Sequence, residues 1–211
     1  MPSPSAILDG LTAISNHWRG VAVGWHVVAA ALVISIVSGW RPTERLLAVL
    51  ITLPLVSVSV LAWSAGNAFN GVIFAALAVM LFRGVPYLRP QRIRFLSVWQ
   101  VVAGATMVAF GWVYPHFLTT DSWVVYAYAA PLGVVPCATL SAAIGMAWMV
   151  APLRSRLWAA PLASAGLLYG LLGVFYLNVI IDLVLLGGAL ALAGSAAWMR
   201  LNLRLALKLR V

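Results

Sequence analysis

The chain has 211 residues, of which 64% are hydrophobic and only 8% charged, and its mean hydropathy is +1.04. Soluble domains average about one quarter charged residues, so an ordinary soluble fold is excluded and lipid is the main solvent. Disorder, a coiled coil and a disulfide-stapled secreted scaffold are excluded by the same composition, because apolar runs dominate and Cys137 is the only cysteine.

Residues 1–19 lack the basic n-region and small-residue cleavage site of a signal peptide, so they are expected to be retained as an outer-surface segment. Within them Ile7, Leu8, Leu11, Ile14 and Trp18 recur at helical spacing after Pro4, the pattern of a short interfacial helix. Runs of roughly 20 mostly apolar residues, the length that crosses a bilayer, follow one another from there. Seven are predicted: Gly20 to Gly39, Arg45 to Trp63, Gly66 to Phe82, Phe95 to Tyr114, Pro131 to Pro152, Leu157 to Gly173 and Val179 to Trp198. The last two come from one stretch, Trp158 to Met199, whose only charge is Asp182. It is too long for one span, and Phe175, Tyr176 and Asn178 suit a turn at headgroup level. Residues 20–199 thus read as one all-α, seven-helix transmembrane domain.

Basic residues orient it, because loops left in the cytoplasm are enriched in Lys and Arg. Arg41 and Arg45 follow span one, Arg83, Arg89, Arg92 and Arg94 follow span three, and Arg154 and Arg156 follow span five. The loops after spans two, four and six hold none. The pattern predicts an N-terminus outside and a C-terminus inside. In the tail, residues 200–211, Arg200, Arg204 and Lys208 recur every four residues beside Leu201, Leu205 and Leu209. That tail is expected to continue helix seven and touch anionic lipid at the cytoplasmic face. The net charge of +9 is explained by topology and is not read as nucleic-acid binding.

Lipid-embedded helices approach closely where side chains are small. Candidate contact stripes are Gly20 with Gly24, Gly166 with Gly170, Gly187 with Ala191 and Ser195, and Cys137 with Ser141, Gly145 and Met149.

The scarce polar groups gather toward the outer side. His26 lies a turn or two into helix one, Tyr114 and His116 end helix four, Asp121 is in the following loop, Asn70 opens helix three, and Asp182 is about one turn into helix seven. Gln100 stands apart, on the inner side. Ionisable groups within spans are functional candidates by default. His26, His116, Cys137 and Asp182 are the ligand or metal candidates, having the donor types of a copper or other transition-metal site, and a bis-histidine haem through His26 and His116 is a further option. Tyr114, Asn70 and Asp121 are secondary. If helix five begins at Pro136, Cys137 sits at a helix N-terminus, a place that favours thiolate; if it begins at Pro131, Pro136 is a kink. Retinal chemistry is closed, because the sole lysine, Lys208, is in the tail.

The segment Gly133, Pro136, Cys137, Ala138, Thr139 resembles that of an uncharacterised family of bacterial multi-pass membrane proteins, a domain of unknown function with a Gly-x-x-Pro-x-x-Thr pattern. The Tyr114–Pro115 pair, the Trp63 to Phe82 stretch with Asn70, and the hairpin before Asp182 are also similar, so the likeness extends over about Trp25 to Ala197. Ala138 departs from the family's usual proline. The resemblance implies the architecture and residence in the bacterial cytoplasmic (inner) membrane, and no activity.

Protease, redox-pair and phosphate-loop motifs are absent. The sequence therefore favours a non-enzymatic subunit or scaffold of a larger membrane complex, associating with other subunits or with itself. The alternatives are a small-solute or metal-ion transporter or channel with an outer-facing polar site, and a haem- or metal-binding redox protein.

Overall fold

The computed structural model describes residues 3–208, with the side chains of Pro152, Arg154 and residues 198–208 outside the description. Among the described residues the fold is all-α, with isolated bridges in place of strands. The helices are α1 (Pro4–His17), α2 (Arg19–Val37), α3 (Glu44–Ser64), α4 (Ala68–Gly84), α5 (Val98–Val113), the single-turn α6 (Tyr126–Ala129), α7 (Pro136–Met149), α8 (Arg156–Leu171) and α9 (Leu183–Lys208).

Local chemistry sets these limits. The Thr43 hydroxyl caps α3 by accepting from the Leu46 N–H, and the Asn67 side chain caps α4 through the Asn70 N–H. At the start of α5, Gln100 folds back and its Oε1 accepts from both the Ser97 N–H and the Ser97 hydroxyl. α8 ends in a wide turn, Leu172–Tyr176, and Asn178 at φ 56° reverses the chain into α9 where the turn was expected. α9 runs on through Lys208, while the side chains of Arg200, Arg204 and Lys208 lie outside the described residues.

Five of the seven expected spans, α2, α3, α4, α8 and α9, are helices long and apolar enough to cross a membrane. The other two are corrected. α5 has 16 residues because residues 95–97 are extended, with Phe95 bridged to Val150. α7 has 14 because Pro131–Val135 forms a turn and the helix begins at Pro136. At about 1.5 Å per residue they are about 24 and 21 Å long, against a hydrocarbon core of about 30 Å.

α7 is the centre of the bundle, in contact with α3, α5, α8 and α9. Twelve of its 14 residues are buried. The α5–α7 contact is antiparallel and made by backbone: a Cβ at Gly104 would lie 2.5 Å from the Gly145 carbonyl oxygen, one at Gly145 2.5 Å from that of Gly104, and one at Gly111 2.5 Å from that of Ala138. Gly166 and Gly170 meet Ala189 and Leu186 of α9, as their spacing predicted. Two expected stripes do not pack. Gly20, Gly24 and Gly187 have open space where a side chain would be, and α9 turns Leu185, Ala189 and Leu192 inward instead.

The antiparallel pairings bring the connectors after α2, α4 and α7 to one end, where their backbones are stitched together. Thr43 bridges to Arg92 and Phe95 to Val150, and the Glu44, Ile93 and Leu96 N–H groups donate to Gln91, Pro42 and Met149 carbonyls. The arginines between spans share this end.

Gly145→Ala is expected to cost about 1–3 kcal/mol of stability, because the new methyl has backbone against it and nothing flexible to displace. Gly187→Ala, with open space, should leave the transition unchanged. Unfolding in detergent for the two variants measures the difference.

Candidate functional site

The end opposite the arginines carries a buried polar cluster. Gly133 takes φ 71°, and its N–H donates to the Thr139 hydroxyl at 2.9 Å, while that hydroxyl donates to the Val135 carbonyl at 2.8 Å. The Trp25 ring lies where a Gly133 side chain would stand. Gly, Pro and Thr of the motif are thus accounted for as glycine at a left-handed turn, proline in the first helical turn and a hydroxyl closing the loop. The turn fixes Cys137 in the first turn of α7.

Cys137 faces Asp182. The carboxylate Oδ1 accepts from the Tyr114 hydroxyl at 2.7 Å and Oδ2 from the Cys137 thiol at 3.1 Å. Asp182 is 1% exposed and Tyr114 is fully buried. Tyr114, immediately after α5, is held by Phe110 edge-on and by Phe117, which takes φ 68° to stack on it at 6.0 Å. Gly173 backs the carboxylate so closely that a Cβ there would collide with it. The N-terminal location was expected to favour thiolate; here the thiol donates, because the nearest partner is itself an acceptor. Beside this triad the Tyr169 hydroxyl donates to Asn70 Oδ1 at 2.8 Å, joining α8 to α4.

The expected four-ligand set does not assemble. Only Cys137 and Asp182 meet. The two ring nitrogens of His26 each lie 2.8 Å from a carbonyl oxygen, of Ala22 and of Trp112, so both face backbone and tie α2 to the end of α5. His116 is half-buried and edge-on to Phe117 at 4.3 Å. Burial holds its imidazole below the ordinary value, favouring the neutral ring. Asp121 is exposed in the loop. Among the described residues no three His, Cys, Asp or Glu side chains come close enough to hold a metal ion, and the histidine placement does not fit a bis-histidine haem.

Sequence reasoning ranked Tyr114 and Asn70 second and passed over Tyr169 and Gly173. A tyrosine in an apolar helix must find a partner for its hydroxyl, and that requirement was the available signal. Two buried polar side-chain atoms among the described residues lack a partner, Ser141 Oγ and Trp158 Nε1.

No family model, curated protein or solved structure matches the chain.

Chemically the triad is a closed set of hydrogen bonds with both carboxylate oxygens engaged, and it joins α5, α7 and the α8–α9 turn at one level. Tyr114→Phe should cost about 1.5–3 kcal/mol, the range for hydrogen bonds to charged groups. Combined with Cys137→Ala it should be non-additive, because both donors serve one carboxylate. Ser141→Ala, which removes an unpartnered buried hydroxyl, should be neutral or stabilising. Detergent unfolding of the four variants reads all three effects.

Proposed function

We propose that this chain is a non-catalytic multi-pass subunit of the bacterial cytoplasmic membrane that docks a partner helix on α2. In this reading α5 and α7, extended by non-helical segments shielded inside the bundle, complete seven crossings with the N-terminus outside and the C-terminus inside. Irregular backbone at membrane depth is tolerated when protein covers it. The gathering of the arginine connectors at one end supports that orientation. The likeness of the Gly133–Thr139 segment to a family of bacterial multi-pass proteins agrees with it.

One observation carries the subunit reading. Gly20, Gly24, Val27, Ala31, Ile34 and Ser38 recur at spacings of three and four along α2, and all six are exposed. A side chain at Gly20 or Gly24 would meet nothing within 4 Å. The Gly166 and Gly170 pair, by contrast, is consumed inside the bundle. Small residues that permit close backbone approach, on a helix otherwise barely buried, suit a helix supplied from outside. The buried polar groups point the same way: those of the Asp182 triad and the Tyr169–Asn70 pair are satisfied internally, and they do not line a path between the two ends.

The test is purification from the native membrane in mild detergent, comparing the parent chain with Gly20→Ile/Gly24→Ile. The double variant should keep its thermal transition and lose copurifying subunits by at least about tenfold, since the added side chains hold the backbones apart. A chain that purifies alone, or a double variant that retains every partner, defeats the proposal. Recovery of the parent as a homodimer that the variant fails to form would make the partner a second copy.

A further inference from the structure

α2 has a second face, pointing away from the glycine stripe. Trp25, Val28, Ala29, Leu32 and Val33 line an apolar groove of about 90 Å³ whose other wall is α3, α5 and α7, including Leu50, Pro54, Val108 and Met146. Ile36 and Val37, the next turn of the same face, line a second and more open cavity of about 690 Å³. That basin is completed by Gly39, Arg41 and residues 91–94, so three arginines, Arg41, Arg92 and Arg94, border it.

All three arginines are exposed, and none has an acidic partner among the described residues. Arg41 is steadied over the Phe95 ring at 5.8 Å from its centroid. Arg92 and Arg94 flank Ile93, whose N–H is bonded to the Pro42 carbonyl, so their backbones are fixed by the stitching of the connectors. Glu44 is the acid at this end. Its carboxylate is buried and turned to the Arg89 N–H and the Gln91 side chain, and it does not line the basin.

From Trp25 to Val37 the face rises about 18 Å, close to half of the hydrocarbon thickness of about 30 Å. An apolar groove of about 12 Å from Trp25 to Val33, leading into an unneutralised cationic basin, is complementary to one kind of molecule. We infer that this face of α2 binds one anionic phospholipid, its phosphate among Arg41, Arg92 and Arg94 and an acyl chain along the groove. The site rests on the membrane reading and is independent of the partner helix, which uses the opposite face.

Native mass spectrometry of the full chain in mild detergent, with equal amounts of dioleoyl phosphatidylglycerol and dioleoyl phosphatidylcholine, tests it. One phosphatidylglycerol should be retained in preference by on the order of tenfold, because phosphatidylcholine offers the same phosphate but brings a quaternary ammonium that the arginines repel. Arg92→Gln/Arg94→Gln should abolish the preference, and Arg83→Gln, outside the basin, should keep it. Val33→Trp, which fills the groove from an exposed position, should lower retention with the arginines intact. Each variant's thermal transition is measured alongside. Equal retention of both lipids, or equal losses from Arg83→Gln, would reduce the basin to part of a general basic belt and overturn the site. Phosphatidylglycerol retention that is unaffected by Val33→Trp and is displaced by inorganic phosphate would leave a bare phosphate site and overturn the lipid as occupant. Partner copurification that survives Arg92→Gln/Arg94→Gln separates failure here from failure of the subunit reading.

Discussion

Backbone contact between α5 and α7 is the constraint on which the rest of the bundle depends. α7 is too short to span a hydrocarbon core alone, yet α3, α5, α8 and α9 are all in contact with it. A helix surrounded on every side has room only for small residues where a neighbour crosses closely, and Gly104, Gly111 and Gly145 supply that room. Between lipid-embedded helices there is little hydrophobic gain to exploit, so dispersion at close range and satisfied polar groups must hold them. The short α7 is therefore shielded by its neighbours, and its non-helical entry turn never meets lipid.

The polar cluster is a consequence of that entry turn. Breaking the helix at Pro136 leaves backbone and a cysteine at the depth where α5 ends and α9 begins. A carboxylate there is expensive unless its oxygens are engaged. Tyr114 and Cys137 provide one donor each, and Gly173 leaves the space for Asp182 to approach. The result ties three connections at one level. It also explains why candidate ligands do not make a ligand set: Cys137, Asp182 and His26 are committed to the fold, with Asp182 serving two donors and His26 turned to two carbonyls, and His116 packs apart on Phe117.

Much of this was legible in the sequence. The alternation of arginines is a one-dimensional signal, and it anticipated that Arg41, Arg92 and the residues around Val150 share an end. The pairing of Gly166 with Gly170 was readable, because spacing of four places both on one helix face whatever the neighbour. The failure of Gly20 and Gly24 to pack inside the chain, and the inward turn of Leu185 rather than Gly187, were not readable. Spacing says that a face can be approached and not which helix approaches it. The lengths of α5 and α7 were misjudged for a related reason. Hydropathy registers apolar residues equally in a helix, in the extended residues 95–97 and in the turn before Pro136. Cys137 and Asp182 were both candidates, but their meeting depends on the order of helices around α7, which periodicity does not contain.

α2 shows how the same economy leaves surfaces over. Only Ala22 and His26 are buried along its 19 residues. It is held at one end, by Trp25 against Gly133, the Trp25 Nε1 bond to Ser57 and the His26 contact with Trp112. Farther along, it stands off α3 and α7 by the width of a groove. A helix anchored at one end and bounded by apolar space at the other needs something else to fix its tilt. On the proposed assignments, lipid in the groove would support it from the bundle side and a partner helix on the glycine stripe from outside. The two faces are angularly separate, so one occupant does not displace the other.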